Sequence, residues 1–328
     1  MRAPAGQLGF SIGSDSLRGL DASARRAFFR NAAATGAAWL RVDLDWSIVQ
    51  RAGPGSYDWS EMDANVMLAR ETGTRLLPVV SFAPPWLEGG AAPATSEAVA
   101  AYADFLRAAV ARYRSFGIRA WEIWNEPNLE GFWAPAPDAA AYARLLTAAY
   151  AAVKEADPGA LVISGGLSPA PSTGPEGGAP AHVAAVDFLA DVYANGGAGS
   201  FDALGFHPYS WPRMPDTWLP WSGWSMMEGP IRALMIAHGD GEKRIWLTEY
   251  GAPTNGEGVS EANQAEMLVR AVRLARSASW AGPLFWYSYQ DLGTNPEESE
   301  DWYGLLRHDG DPKPALPRFE RLARPDGN

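Results

Sequence analysis

The sequence predicts a (β/α)8 barrel. Eight short, nearly continuous apolar runs mark the chain, helical patterns lie between them, and 328 residues accommodate eight such cycles in one domain. Runs apolar on both faces, rather than alternating, are what parallel strands covered by helices look like. No G-x-G-x-x-G follows the first run, which argues against a doubly wound dinucleotide-binding sheet. Loss of one or two runs would leave an open sheet, the alternative to closure. The chain is read as one domain over residues 1–328.

The runs come in order as QLGFSIG from Gln7, AWLRVDL from Ala38, RLLPVVSF from Arg75 and AWEIWNE from Ala120. LVISGG from Leu161, FDALGFHPY from Phe201, RIWLTEYG from Arg244 and GPLFWYSY from Gly282 complete them. Between the second and third, Ser60 and Asp63 form a capping-box-like helix start, and Gly73 is placed to end that helix. Between the third and fourth, Val99, Tyr102, Leu106, Val110 and Tyr113 share one helical face. Residues 138–156 form the next helix and stop before Asp157-Pro158-Gly159. Residues 260–277 form another, with Ser260 as its N-cap.

Composition narrows the partners. Lys and Arg number 27 against 38 Asp and Glu, a formal charge of −11. That field repels phosphate backbones and anionic lipid, so neither nucleic acid nor a membrane is expected. The absence of cysteine removes disulfides, zinc–thiolate sites, iron–sulfur clusters and thiol nucleophiles. The four histidines, His182, His207, His238 and His308, show no H-x-x-x-H spacing, so neither metal nor cofactor is expected. No apolar run approaches the roughly 18 residues of a membrane span. The opening MRAPAGQLGFSIG lacks the apolar centre of a signal peptide. A soluble monomer is expected, secreted if a leader has been removed and cytoplasmic otherwise. Fifteen tryptophans exceed what a core needs, and indole faces match the apolar faces of neutral sugar rings. A carbohydrate is the expected partner.

In a (β/α)8 barrel the chemistry sits at the C-terminal strand ends. Two glutamates stand there, Glu126 in Trp121-Glu122-Ile123-Trp124-Asn125-Glu126-Pro127-Asn128 and Glu249 in Trp246-Leu247-Thr248-Glu249-Tyr250-Gly251. They are 123 residues apart, yet the fourth and seventh strands can face each other across a barrel mouth. Glycosidic cleavage needs such a pair, one carboxyl protonating the leaving oxygen and the other attacking or activating water. Unequal environments keep one protonated and the other ionised.

WEIWNEPN and WLTEYG resemble the two signature strands of the retaining β-glycosidases of glycoside hydrolase clan A, and the likeness covers nearly the whole chain. Leu40-Arg41-Val42-Asp43, the helix start Tyr57-Asp58-Trp59-Ser60 and Asp309-Gly310-Asp311-Pro312-Lys313-Pro314-Ala315 look most like family 39, the β-xylosidase-like group, with cellulase-like family 5 second. The third run ends in Ser81-Phe82, without the histidine of typical family 5 enzymes, which favours family 39. The resemblance implies a retaining hydrolase working by double displacement, with Glu126 as acid/base and Glu249 as nucleophile. A transglycosylase would share the covalent intermediate. A non-catalytic carbohydrate-binding barrel is the alternative from another class.

Further residues follow from the resemblance and from placement. Asn125 would hold the sugar 2-hydroxyl. Arg41 would keep Glu249 ionised and could also pair with Asp43 or Glu122. Glu122 lies deeper, about 3.3 Å per residue down the strand, and reads as a buried ion-pair partner. His207 and Tyr209, pointing the same way, would reach sugar or acid/base and Glu249 respectively. Trp286 would form the platform under the sugar, with Phe285 and Tyr287 open as alternatives for the inward position. Trp211, Trp218, Trp221 and Trp224 of the sixth loop, with Trp133 of the fourth, read as a sugar-binding wall, or else as hydrophobes that staple the loops.

Overall fold

The computed structural model describes residues 7–174 and 179–324. The first six residues of the opening segment lie outside this range. So do residues 175–178, within the Gly- and Pro-rich loop from Ser168 to Ala181.

Eight strands, β1 (Leu8–Ile12), β2 (Trp39–Asp45), β3 (Arg75–Ser81), β4 (Ala120–Asn125), β5 (Leu161–Gly166), β6 (Ala203–Phe206), β7 (Arg244–Tyr250) and β8 (Ala281–Tyr287), pair in parallel and in chain order. The pairing of β1 with β8 closes the barrel. All eight predicted runs are strands. Closure satisfies every strand edge, so no open ladder remains.

A helix follows each strand: α1 (Ala22–Ala34), α2 (Ser60–Thr72), α3 (Ser96–Tyr113), α4 (Ala139–Ala156), α5 (Ala185–Ala194), α6 (Arg232–Ala237), α7 (Glu261–Ser277) and α8 (Ala315–Ala323). The caps largely match their chemistry. The Asp138 and Ser260 side chains accept from the backbone of Ala141 and Asn263, and Gly73 closes α2 in the left-handed region at φ 73°. The capping box expected at Ser60 is absent. Ser60 is the first helical residue, Asp58 accepts from its N–H, and Asp63 is drawn to Arg112 and Tyr113 of α3. A long-range charged pair outcompeted the local cap.

The core has two parts. Trp39, Leu77, Ala120, Ile163, Ala203, Trp246 and Phe285, one from each of seven strands, fill the barrel interior. A larger shell lies between strands and helices. Two tyrosines stitch that shell to the strand ends below the site: Tyr102 donates to the Val80 carbonyl at 2.7 Å and Tyr142 to the Ile123 carbonyl at 2.9 Å. Each such bond contributes about 1 kcal/mol, and losing one leaves a buried carbonyl unpaired. Among the described residues, no helix is long and apolar enough to cross a membrane.

Candidate active site

Backbone irregularities aim both glutamates into the barrel mouth. Along β4, Trp124 adopts a left-handed φ of 71°, which breaks the two-residue alternation. Its indole turns outward into the helix-side core, and Asn125 and Glu126 both reach the mouth. Glu126 also has a positive φ, 39°. Non-glycine residues are held there only when the surroundings over-determine them, a cost of order 1–3 kcal/mol each. On β7 the register against β8 shifts between Leu247 and Tyr250, so Tyr250 packs outward on Trp224 and Trp286 while Glu249 faces the mouth. Bulges re-aim side chains in this way.

Arg41 joins the core to the site. Its Nε and Nη2 clasp the fully buried Glu122 at 2.7 and 3.1 Å, and Nη2 also reaches Asn125 Oδ1 at 2.6 Å. Nη1 donates to Ser11 Oγ at 3.0 Å and to Glu249 Oε1. Ser11 in turn donates to the same Glu249 oxygen at 3.3 Å. Arg41 therefore pairs with Glu122 and Glu249 together.

Tyr209 donates to the other oxygen of Glu249 at 2.8 Å. His207 Nδ1 lies 2.8 Å from Glu126 Oε1 and 3.6 Å from Glu249 Oε2. Burial alone would raise the Glu249 pKa, but His207, Arg41 and the Tyr209 hydroxyl outweigh it and hold the carboxyl below its usual range. Burial would lower the His207 pKa. The Glu249 charge and the bond to Glu126 prevail and hold it above its ordinary value. The close seat of His207 needs a small neighbour on β5, because a Cβ on Gly166 would fall 2.1 Å from His207 Nε2.

Around these groups opens a cleft of about 950 Å³. Arg41, Asn125, Tyr209 and Trp221 line it with the two glutamates, and His207 lies buried beneath. Trp286 does not. It is 0% exposed in the outer core and donates to the Tyr303 carbonyl, while Phe285 and Tyr287 are the inward residues of β8. Trp133 is 1% exposed, packed edge-on against Trp124 and Tyr142, so it staples the fourth loop and does not line this cleft. Trp218, 75% exposed, stands outside the cleft, and Trp221, 49% exposed, lines it. Trp224 is buried and Trp211 lines the cleft. Of the sixth-loop tryptophans expected to form a wall, Trp211 and Trp221 alone line the cleft.

Ser11, Gly166, Glu300 and Tyr303 were not singled out from the sequence, whereas Tyr287 was one of the three residues open for the inward position on the eighth run. The lone polar residue inside the first apolar run, Ser11, and the glycine pair ending the fifth were available signals. Glu300 and Tyr303 sit in a loop with none. Glu126, His207 and Glu249 each place one donor atom within 4.8 Å of the others, a spacing that could suit a cation, but the Arg41 guanidinium already lies against Glu249.

No protein-family model matches the chain, and no curated protein matches it. Solved structures do. A family 39 glycoside hydrolase from the gut symbiont Bacteroides cellulosilyticus WH2 superposes with a TM-score of 0.76 at 27% identity, over 99% of this chain and 64% of that one. The chain resembles family 39. It thus spans less than two thirds of that relative. GH5_18 from Streptomyces cattleya, solved with GlcNAc, matches at TM-score 0.72 and 19% identity over 98% of this chain and 80% of its own. A monomeric β-xylosidase from Caulobacter crescentus CB15 matches at 0.68 and 19%, over 98% and 69%. At these identities the last two share the fold. All are glycoside hydrolases of the clan whose signature strands the sequence resembles.

Proposed function

We propose that the chain is a single catalytic domain of a retaining β-glycoside hydrolase, with Glu249 as nucleophile and Glu126 as acid/base. The observation that carries this reading is the approach of the two carboxylates, one oxygen of each within 4.8 Å of the other. Retaining pairs sit about 5–5.5 Å apart, whereas inverting pairs leave about 6.5–9.5 Å for a water. The roles follow from environment. Glu249 accepts from Arg41, Ser11 and Tyr209 and is held ionised, as a nucleophile must be.

In the first step a Glu249 oxygen bonds to the anomeric carbon as the bond to the leaving oxygen breaks, and Glu126 gives that oxygen its proton. Glu249 loses its charge in the resulting ester. In the second step Glu126 takes a proton from water, the water oxygen bonds to the anomeric carbon, and the ester bond returns its electron pair to Glu249. Asn125, fixed by Arg41, faces the sugar beside the nucleophile.

Azide rescue tests the roles, with aryl β-xylosides and β-glucosides as first substrates. Glu126→Ala should form the glycosyl-enzyme from an activated aryl glycoside, stall, and release a β-glycosyl azide after two inversions. Glu249→Ala should give an α-glycosyl azide by one. Swapped anomers would reverse the assignment, and unaided turnover by Glu249→Ala would end the double-displacement reading.

A further inference from the structure

The cleft has two chemically different halves, and the order of strands around the barrel separates them. From β7 through β8 and on to β3, its wall holds groups that can pair with a sugar ring: Arg41, Tyr287, Glu300 and Tyr303, beside Phe82 and Leu292, with Glu249 at the edge. From β4 to β6 the wall is mostly apolar. Phe132, the run Pro169-Ala170-Pro171, Pro220, Trp221 and Met226 line it, and Glu126 is the one charged group of that half among the described residues.

Little on the apolar side can pair with a hydroxyl. Prolines have no N–H, indoles donate but accept nothing, and a thioether is a weak acceptor. Apart from Glu126, the side chains there that carry an oxygen are Asn125, Ser168 and Tyr209. Arg41 holds the Asn125 oxygen, and the Tyr209 hydroxyl is given to Glu249. A second sugar lodged here would bury several hydroxyls with one serine to receive them, and a buried hydroxyl left unpaired costs more than a made bond returns. An alkyl chain or an aromatic ring has no such groups to satisfy and gains from each apolar contact.

Position gives this half its role. Glu126 directly follows β4 at its rim, and on the reading above its proton goes to the leaving oxygen while Glu249 meets the anomeric carbon. The leaving group then continues from Glu126 over the loops that follow β4, β5 and β6. We propose that the cleft splits glycosides whose leaving group is an apolar aglycone, alkyl or aromatic, rather than a second sugar, with Phe132, Trp221 and Met226 as its seat. The inference rests on the hydrolase reading, since a proton donor at Glu126 is what makes this the leaving side.

The test takes the sugar that the intact protein releases fastest, as its methyl, butyl and hexyl β-glycosides and as its β-linked disaccharides of each linkage. A sugar hydroxyl is a better leaving group than an alkanol, so a hexyl glycoside that outpaces every disaccharide does so through binding. Each methylene, about half covered, should raise kcat/KM about twofold, hence about 30-fold from methyl to hexyl. Met226→Gln and Phe132→Ser should each cut the hexyl-to-methyl ratio by about threefold, a ratio that partial misfolding leaves alone because both substrates meet the same protein. A disaccharide at or above the hexyl glycoside, a hexyl glycoside within about threefold of the methyl one, or a ratio unmoved by both substitutions would overturn the inference and leave the hydrolase reading in place.

Calorimetry with the methyl and hexyl β-thioglycosides of xylose, glucose and mannose separates the two readings. No turnover of any glycoside, with the hexyl compounds bound more tightly than the methyl ones, would sink the hydrolase reading and leave the apolar seat standing as a binding site. No turnover with equal or absent binding would sink both.

Discussion

Tyr209 donates its hydroxyl to Glu249 Oε2 at 2.8 Å, the oxygen opposite the one that Arg41 holds. A carboxylate gripped on both oxygens is ionised but partly spent as a nucleophile, so each donor must loosen as charge moves to the sugar. Tyr209→Phe removes one hydrogen bond to a charged group, about 1.5–3 kcal/mol, and should lower kcat/KM by about 10- to 100-fold. The Glu249 pKa should rise without that donor, so the acid limb of the pH–rate profile should move to higher pH. A profile that keeps its acid limb would remove Tyr209 from any role in setting the charge of Glu249.

Stability should depend on pH from two sides. The Glu249 pKa is lowered from 4.5, so its contribution is complete above 4.5 and lost as pH falls through the depressed value. The His207 pKa is raised from 6.5, so its contribution is complete below 6.5 and lost as pH rises through the elevated value. The destabilisation caused by His207→Gln should therefore be larger at pH 6 than at pH 9. Thermal melts of the two proteins across that range would show it, and a constant gap would mean that His207 does not titrate with folding.

Arg41→Met should damage the fold as well as the site. Glu122, fully buried, would be left without its cation, at a cost of about 3–5 kcal/mol. Adding Glu122→Leu should recover part of that stability and none of the activity, as urea titration and turnover would show. If Arg41→Met melts like the parent, the pair contributes nothing to folding.

The two exposed tryptophans of the sixth loop should separate. Trp221→Ala should weaken long or bulky glycosides while sparing small aryl ones, since it lines the cleft and remote binding counts only when the substrate reaches it. Trp218→Ala, outside the cleft, should change neither by more than about twofold, and stability by no more than about 0.5 kcal/mol. Inhibition series with oligosaccharides of rising length would distinguish them. Equal losses would make the loop one platform.

All eight strands were legible because a parallel strand buried on both faces needs an uninterrupted apolar run, and such runs stand out between Gly- and Pro-rich loops. The same property hides the phase. Leu284, Phe285, Trp286 and Tyr287 are apolar on both sides, so nothing local said that Tyr287, not Trp286, faces the mouth. On β4 and β7, alternation alone misstates the facing of Trp124 and Glu249, because each strand carries an irregularity whose cause lies in the neighbouring strand or loop. Ser11, 238 residues from Glu249, enters only when the barrel closes. Glu300 and Tyr303 sit in a loop without periodicity, and their place comes from packing against β8.

The Arg41 cluster also bears on how the protein can change. Ser11, Arg41, Glu122 and Asn125 come from three strands and share one hydrogen-bonded unit, so a substitution that tunes reactivity through any of them is felt by the barrel itself. Trp211 and Trp221 have no such tether, since they line the cleft from the loop after β6, outside the strand ladder. Under the proposed function, lineages built on this scaffold would exchange sugars more readily than chemistry. A mutagenesis library that fixes the first set and randomises the second should keep most of its members folded.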